Sequence, residues 1–143
     1  MNSTATKSEA PPALLTLWKT KWIAGPAEPD GPALVSVTDF TAAHLLDVPS
    51  IYLAGLQLRR AWPTMEGAVG MWLWFEPLGR RSGSVSVWKS EEALRRFVRW
   101  DVHVAIVRKF GGRGSLKAAR WQVDQFTHRE VWSEAERRLG LVR

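Results

Sequence analysis

This chain of 143 residues contains no cysteine. That removes disulfides, thiolate metal sites and a cysteine nucleophile, and it leaves the redox compartment undecided. Tyrosine is nearly absent, with Tyr52 alone beside five phenylalanines and nine tryptophans. No uninterrupted apolar run approaches the roughly 18 residues that a helical membrane span needs. The first dozen residues are rich in Ser, Thr, Ala and Pro and lack the apolar core of a signal peptide. Residues 1–12 therefore read as a disordered tail, residues 13–143 as one domain, and the whole as a soluble cytoplasmic protein. Catalytic signatures are missing too. There is no Gly-x-Ser-x-Gly elbow, no His-Glu-x-x-His, and no carboxylate cage at metal-ligand spacing, so no dedicated metal site is expected. Gly111-Gly-Arg-Gly114 follows a helical stretch and lacks a Gly-Lys-Ser/Thr ending, which makes it a connector and not a phosphate loop.

What the chain has in excess is tryptophan and positive charge. The net charge is +6, with basic residues gathered at Arg108, Lys109, Arg113, Lys117 and Arg120. Such a cluster is the footprint expected of phosphate-backbone binding. No helix-turn-helix, finger or stacking-sheet pattern accompanies it, so it reads as a solvated basic surface. Nucleic acid is not expected as a partner.

Periodicity and turn chemistry organise the rest. Leu14 to Ile23 is apolar with Lys interleaved and predicts an extra edge strand or a short helix, and Gly25 to Pro32 is a loop. Ala33 to Thr38 predicts a strand. Asp39 or Thr41 can cap a turn before Pro49, which suits the start of a helix running to about Trp62. Gly67 to Phe75 is the second strand, and its core, Met71-Trp-Leu-Trp-Phe75, does not alternate apolar with polar, a sign of burial on both faces. Pro77 to Gly83 is only long enough for a hairpin, so Ser84 to Trp88 returns antiparallel. The strand period puts Trp72 and Trp74 on one face and Met71, Leu73 and Phe75 on the other. Helices on one side would leave the opposite face bare, and the simplest cover is a partner's sheet, which predicts a homodimer. Ser90-Glu-Glu caps a helix whose apolar stripe runs from Leu94 to Ile106. Lys117 to Phe126 is a fourth strand, and Thr127-His-Arg-Glu130 is a capping box opening a last helix to Leu139, stopped by Gly140. The order is β-α-β-β-α-β plus a tail helix, the α+β, ferredoxin-like split-βαβ pattern.

Ser86-Val-Ser-Val-Trp-Lys-Ser-Glu-Glu-Ala-Leu, followed by Phe97 and His103, resembles the second half of the dimeric α+β barrel superfamily, and Gly67-Ala-Val-Gly70 before a strand resembles it too. The resemblance covers about residues 33 to 126. That group includes antibiotic-biosynthesis-type monooxygenases, heme-degrading monooxygenases and uncharacterised families such as DUF3291. It implies a subunit whose sheet pairs face to face with its mate's, with a pocket between sheet and helices. It also implies a small monooxygenase-like oxidoreductase that binds an apolar aromatic ligand. Cofactor-free members tend to place an Asn and a Trp in the pocket, whereas the only Asn here is Asn2. Laid on the heme degraders' helix, Phe97 falls at their pocket Trp and Val107 at their axial His, with His103 one turn early.

His103 is accordingly the first candidate for chemistry. On one continuous helix it lies opposite the Leu94–Ile106 stripe; if Asp101 recaps the helix after a break at Trp100, it lies in a new first turn. There the helix N-terminus favours neutral imidazole, able to take a proton from a phenolic or enolic substrate. No cofactor is then required, and heme through His103 as axial ligand is the alternative. Trp72, Trp74, Ser86, Trp88, Phe97, Arg99, Trp100 and Val107 are the candidate lining of the pocket. A non-catalytic dimeric ligand-binding module, in which every Trp is structural, accounts for the same residues. His44 and His128 read as surface residues.

Overall fold

A computed structural model describes residues 17–140. The expected tail, residues 1–12, lies outside the described residues. The first described segment runs along the outer edge of the sheet as two short pieces, β1 (Trp18–Lys19) and β2 (Ile23–Ala24). They are followed by β3 (Ala33–Ala42), α1 (Val48–Ala61), β4 (Ala68–Glu76), β5 (Arg81–Trp88), α2 (Glu91–Val98), α3 (Asp101–Phe110), β6 (Gly114–Val123) and α4 (His128–Leu139). All pairings are antiparallel, in the order β1-β4-β5-β3-β6, with β2 also on β4. The four long strands thus adopt the ferredoxin-like order, in an open sheet.

β3 and β6 differ in extent from expectation for identifiable reasons. β3 continues past Thr38 because its polar residues find partners: Thr38 Oγ1 accepts the Ser84 N–H at 3.0 Å, and Asp39 holds Arg81 at 2.7 Å. β6 begins at Gly114 because the ladder with β3 runs on to Ala42, and it ends at Val123 because Phe126 turns away to be buried. The long helical stripe is broken. The Trp100 backbone is extended (φ −64°, ψ 135°), so α2 and α3 are separate, and His103 Nδ1 lies 3.1 Å from the Val98 carbonyl across the corner.

β4 explains the layering. Ala68, Met71 and Leu73 face α1 and α2 in one core with Leu34, Trp62, Trp88, Ala93 and Leu94. Val69, Trp72 and Trp74 face the other way, in a core with Val35, Val37, Val85 and Val87. The two-faced burial and the assignment of side chains to faces match the sequence pattern. The cover of the second face does not. It comes from this same chain: Val131, Ala135 and Leu139, spaced every four residues along α4, pack on it with Trp132, Phe126 and Trp22. Trp22 stacks on Phe126 at 5.3 Å and leans on Trp72 at 4.5 Å. Val35 and Val85 are 0% exposed with no second chain present, so the need that predicted a homodimer through this face is met internally. Arg81 pins the far end, bridging Asp39 to the Leu139 carbonyl at 2.8 Å with its guanidinium above the Trp74 ring.

Two outcomes follow for stability. Gly70 lies under the Trp22 ring, and a Cβ there would overlap the indole. Gly70→Ala should therefore destabilise the fold by about 3 kcal/mol in urea unfolding. Gly112→Ala, where a Cβ meets nothing, should stay within about 0.5 kcal/mol; equal effects would contradict the Trp22 cover. Partial burial pushes the His103 imidazole below its ordinary value of 6.5, against the opposing hydrogen bond to Val98. Between 6.5 and that lowered value the unfolded chain binds the proton and the folded chain does not, so stability rises with pH across the window and is lost as pH falls through it. His103→Asn should flatten this dependence, read from urea midpoints at pH 7.5 and 5.5. A dependence unchanged in the variant would mean that other groups cause it.

Candidate functional site

Between the sheet and α1 lies a cavity of about 120 Å³. Its walls are Phe40 and Thr38 from β3, Ile51, Tyr52, Gly55 and Leu58 from α1, Leu73 and Trp74 from β4, Ser82 and Gly83 from β5, and Ile106 from α3. Gly55 lets α1 approach closely, since even a Cβ there would sit 3.3 Å from Leu73 Cδ1. Most polar atoms around the space are already engaged. The Thr38 carbonyl accepts from Trp74 Nε1 at 3.1 Å, and Thr38 Oγ1 is shared with the Ser84 hydroxyl at 3.0 Å. What faces inward is therefore mainly hydrocarbon, with Tyr52 as the one ionisable side chain. The Tyr52 ring leans on Phe75 at 5.5 Å.

A more open groove of about 540 Å³ runs outside, between α1 and α3. Ser50, Leu53, Ala54 and Gln57 form one bank, and Asp101, Val102, Ala105, Ile106, Lys109 and Phe110 the other. α1 thus presents Ile51, Tyr52, Gly55 and Leu58 to the cavity and Ser50, Leu53, Ala54 and Gln57 to the groove, the division that a 3.6-residue period imposes.

Of the nine residues singled out from the sequence, Trp74 alone borders either space. The other eight border neither. Trp72 lies on the α4 side of the sheet, against Trp22, Trp132 and His128, with Lys19 Nζ 5.3 Å above its ring. Ser86, Trp88 and Phe97 do come together on the helix side, but as packed core. Ser86 Oγ accepts from Trp88 Nε1 at 2.9 Å, and Trp62 fills the space against Trp88 and Phe97 at 5.1 and 5.2 Å. Trp100 rests at the edge of that cluster, 6.3 Å from Phe97. Arg99 and Val107 are exposed. His103 packs on Phe97 at 4.6 Å and has Nδ1 committed to the Val98 carbonyl, which fixes the α2–α3 corner. The break at Trp100 turns it toward α2. His44 is exposed in the turn before α1, and His128 is exposed with its ring edge-on to Trp22.

Tyr52, Phe40, Ile106 and Ser82 were not found from sequence as site residues. Tyr52 and Ile106 carry a partial signal, the apolar periodicity of their helices, but that signal does not distinguish a residue beside a cavity from one in a packed core. Ser82 falls in the segment read as a hairpin loop.

Heme does not fit these residues. A dry cavity of about 150 Å³ is enough for one benzene ring, the inner space here is about 120 Å³, and His103 borders neither space. Among the described residues, no three His, Cys, Asp or Glu side chains converge to hold a metal ion, and no helix is long and apolar enough to cross a membrane. The basic cluster is partly matched by acids, with Arg113 3.4 Å from Asp47 and Arg120 3.2 Å from Glu91.

No family model matches this chain, and no curated protein matches it. Solved structures do. A candidate monooxygenase from Fusobacterium nucleatum superposes with a TM-score of 0.59 at 7% identity, over 74% of this chain and 48% of that one. Another from Lactobacillus acidophilus gives 0.56 at 11%, over 73% and 53%. The chain therefore spans about half the length of these two proteins. SnoaB, a cofactor-independent oxygenase from Streptomyces nogalater, gives 0.52 at 14% identity, over 67% of this chain and 97% of that one. At such identities the likeness shows the fold alone, an open antiparallel α+β sheet of ferredoxin-like order.

Proposed function

We propose that this protein is a monooxygenase-like domain that binds a small apolar, aromatic ligand in the cavity between the sheet and α1. The observation that carries the reading is the cavity itself: a partly open space with mainly hydrocarbon walls, beside a tightly interlocked aromatic cluster. At about 120 Å³ it is somewhat smaller than the roughly 150 Å³ cavity that accommodates benzene, which limits the ligand to a single ring, seated with slight expansion of the walls. The likeness to SnoaB supports extending the reading to oxidation by dioxygen, without a bound cofactor. An activated methylene on the ligand would supply the electrons, CH₂ + O₂ giving C=O + H₂O. Loss of the first proton from that methylene is the step a protein side chain assists, and Tyr52 is the ionisable group at the cavity wall.

A second reading, ligand binding without chemistry, is favoured by a specific observation. No imidazole or carboxylate borders the inner cavity, and the phenol of Tyr52 can take a proton only after losing its own. Binding and turnover separate the two. Toluene should bind saturably, raising the melting temperature, and Ile106→Trp should abolish that shift by filling the space. Oxygen uptake with a monocyclic aryl ketone bearing a benzylic methylene should fall about 100-fold in Tyr52→Phe, with toluene binding kept within about twofold. Uptake equal to wild type would remove the role of Tyr52. Binding with no uptake would leave the binding module, and no binding at all would end both readings.

A further inference from the structure

Ile106 is the one residue that borders both the inner cavity and the outer groove. Ile106 is thus the point at which the two spaces adjoin, and a substituent passing from one to the other would pass beside it. One turn further along the same side of α3 stands Lys109, about 4.5 Å along the helix axis from Ile106. Asp101, the other charge on this bank, stands about 7.5 Å away in the opposite direction. Among the described residues neither has an ion-pair partner, whereas Arg113, Arg120, Arg95 and Arg96 nearby in the chain each have one. The Lys109 ammonium has only the Phe110 ring, at 5.3 Å. Of the two charges that line the groove, the one nearer Ile106 along the helix is thus positive, on a chain whose net charge of +6 draws anions in general.

We infer that the ligand of this site is a ring-bearing anion, its ring in the inner cavity beyond Ile106 and its carboxylate or phenolate in the groove at Lys109. The inference rests on the binding reading above and sharpens it, because hydrocarbon walls alone do not favour an anion over a neutral ring or a cation. The charge pair would form in an open groove, where solvent screens it, so the preference is modest: about three- to fivefold. Its effect is to orient the ligand, with the charged end outward in the groove.

Four probes test it by calorimetric titration of the full chain: toluene as the bare ring, and phenylacetate, 2-phenylethanol and 2-phenylethylammonium as three substituted rings of similar size. Phenylacetate should bind about three- to fivefold more tightly than the alcohol, and the ammonium no better than the alcohol. Raising the salt to 0.5 M should shrink the preference. Lys109→Gln should erase it while leaving toluene binding within twofold. Toluene binding with phenylacetate no tighter than the alcohol, with the ammonium tightest, or with a preference that survives Lys109→Gln would overturn the inference and leave the binding reading standing. Failure of all four probes in wild type would overturn the binding reading beneath it.

Discussion

The sheet of this protein is apolar on both faces, and everything else is arranged to keep water from both. The constraint originates in β4, where Met71-Trp-Leu-Trp-Phe75 offers no polar side to solvent. Leaving Trp72 and Trp74 exposed on such a strand would forfeit several kcal/mol of burial. The chain answers with two covers of different kind. Three helices lie on one side, and on the other a single helix, α4, is assisted by two rings from flanking segments, Trp22 and Phe126. The second cover is fastened electrostatically at its far end, where Arg81 joins Asp39 to the last carbonyl of α4.

The same constraint decides where space is left over. On the helix side, Trp62, Trp88 and Phe97 interlock at centroid distances near 5 Å and fill the volume over β5 and the start of β4. Over the middle of β4 and β3 the helical residues are smaller or glycine, and there the cavity opens. Large rings make the core rigid, and smaller neighbours leave the void beside it. In a close-packed interior, a cavity next to a stiff aromatic cluster does not collapse at no cost. The site is therefore made by what the Trp cluster does not reach, and its shape depends on the cluster staying in place.

How much of this was legible in the sequence follows from how local each cause is. Helix ends were readable because caps act over three or four residues: Ser90 accepts the Ala93 N–H, Thr127 the Glu130 N–H, and Gly140 turns left-handed. The two-sided burial of β4 was readable because alternation is a property of one strand. The identity of the second cover was not. An amphipathic last helix with Val131, Ala135 and Leu139 on a stripe shows that it packs on something, without showing on what. The cavity was less legible still, since its walls come from β3, β4, β5, α1 and α3, and no window of sequence contains them together.

The residues singled out from the sequence and the walls of the cavity diverge for a single physical reason. Tryptophans and a histidine in an apolar segment attract a chemical reading, yet an indole is first a large hydrophobic body whose N–H needs an acceptor. Here Trp88 finds Ser86, Trp74 finds the Thr38 carbonyl, and His103 finds Val98. Each of these polar contacts satisfies a buried group inside the protein, and a group so satisfied is no longer available to a ligand. The side chains of Tyr52 and Lys109 make no hydrogen bond or ion pair among the described residues. In a domain this dense in aromatic rings, what bears on function is less which side chains are reactive than which polar atoms the fold has left without a partner beside an open space.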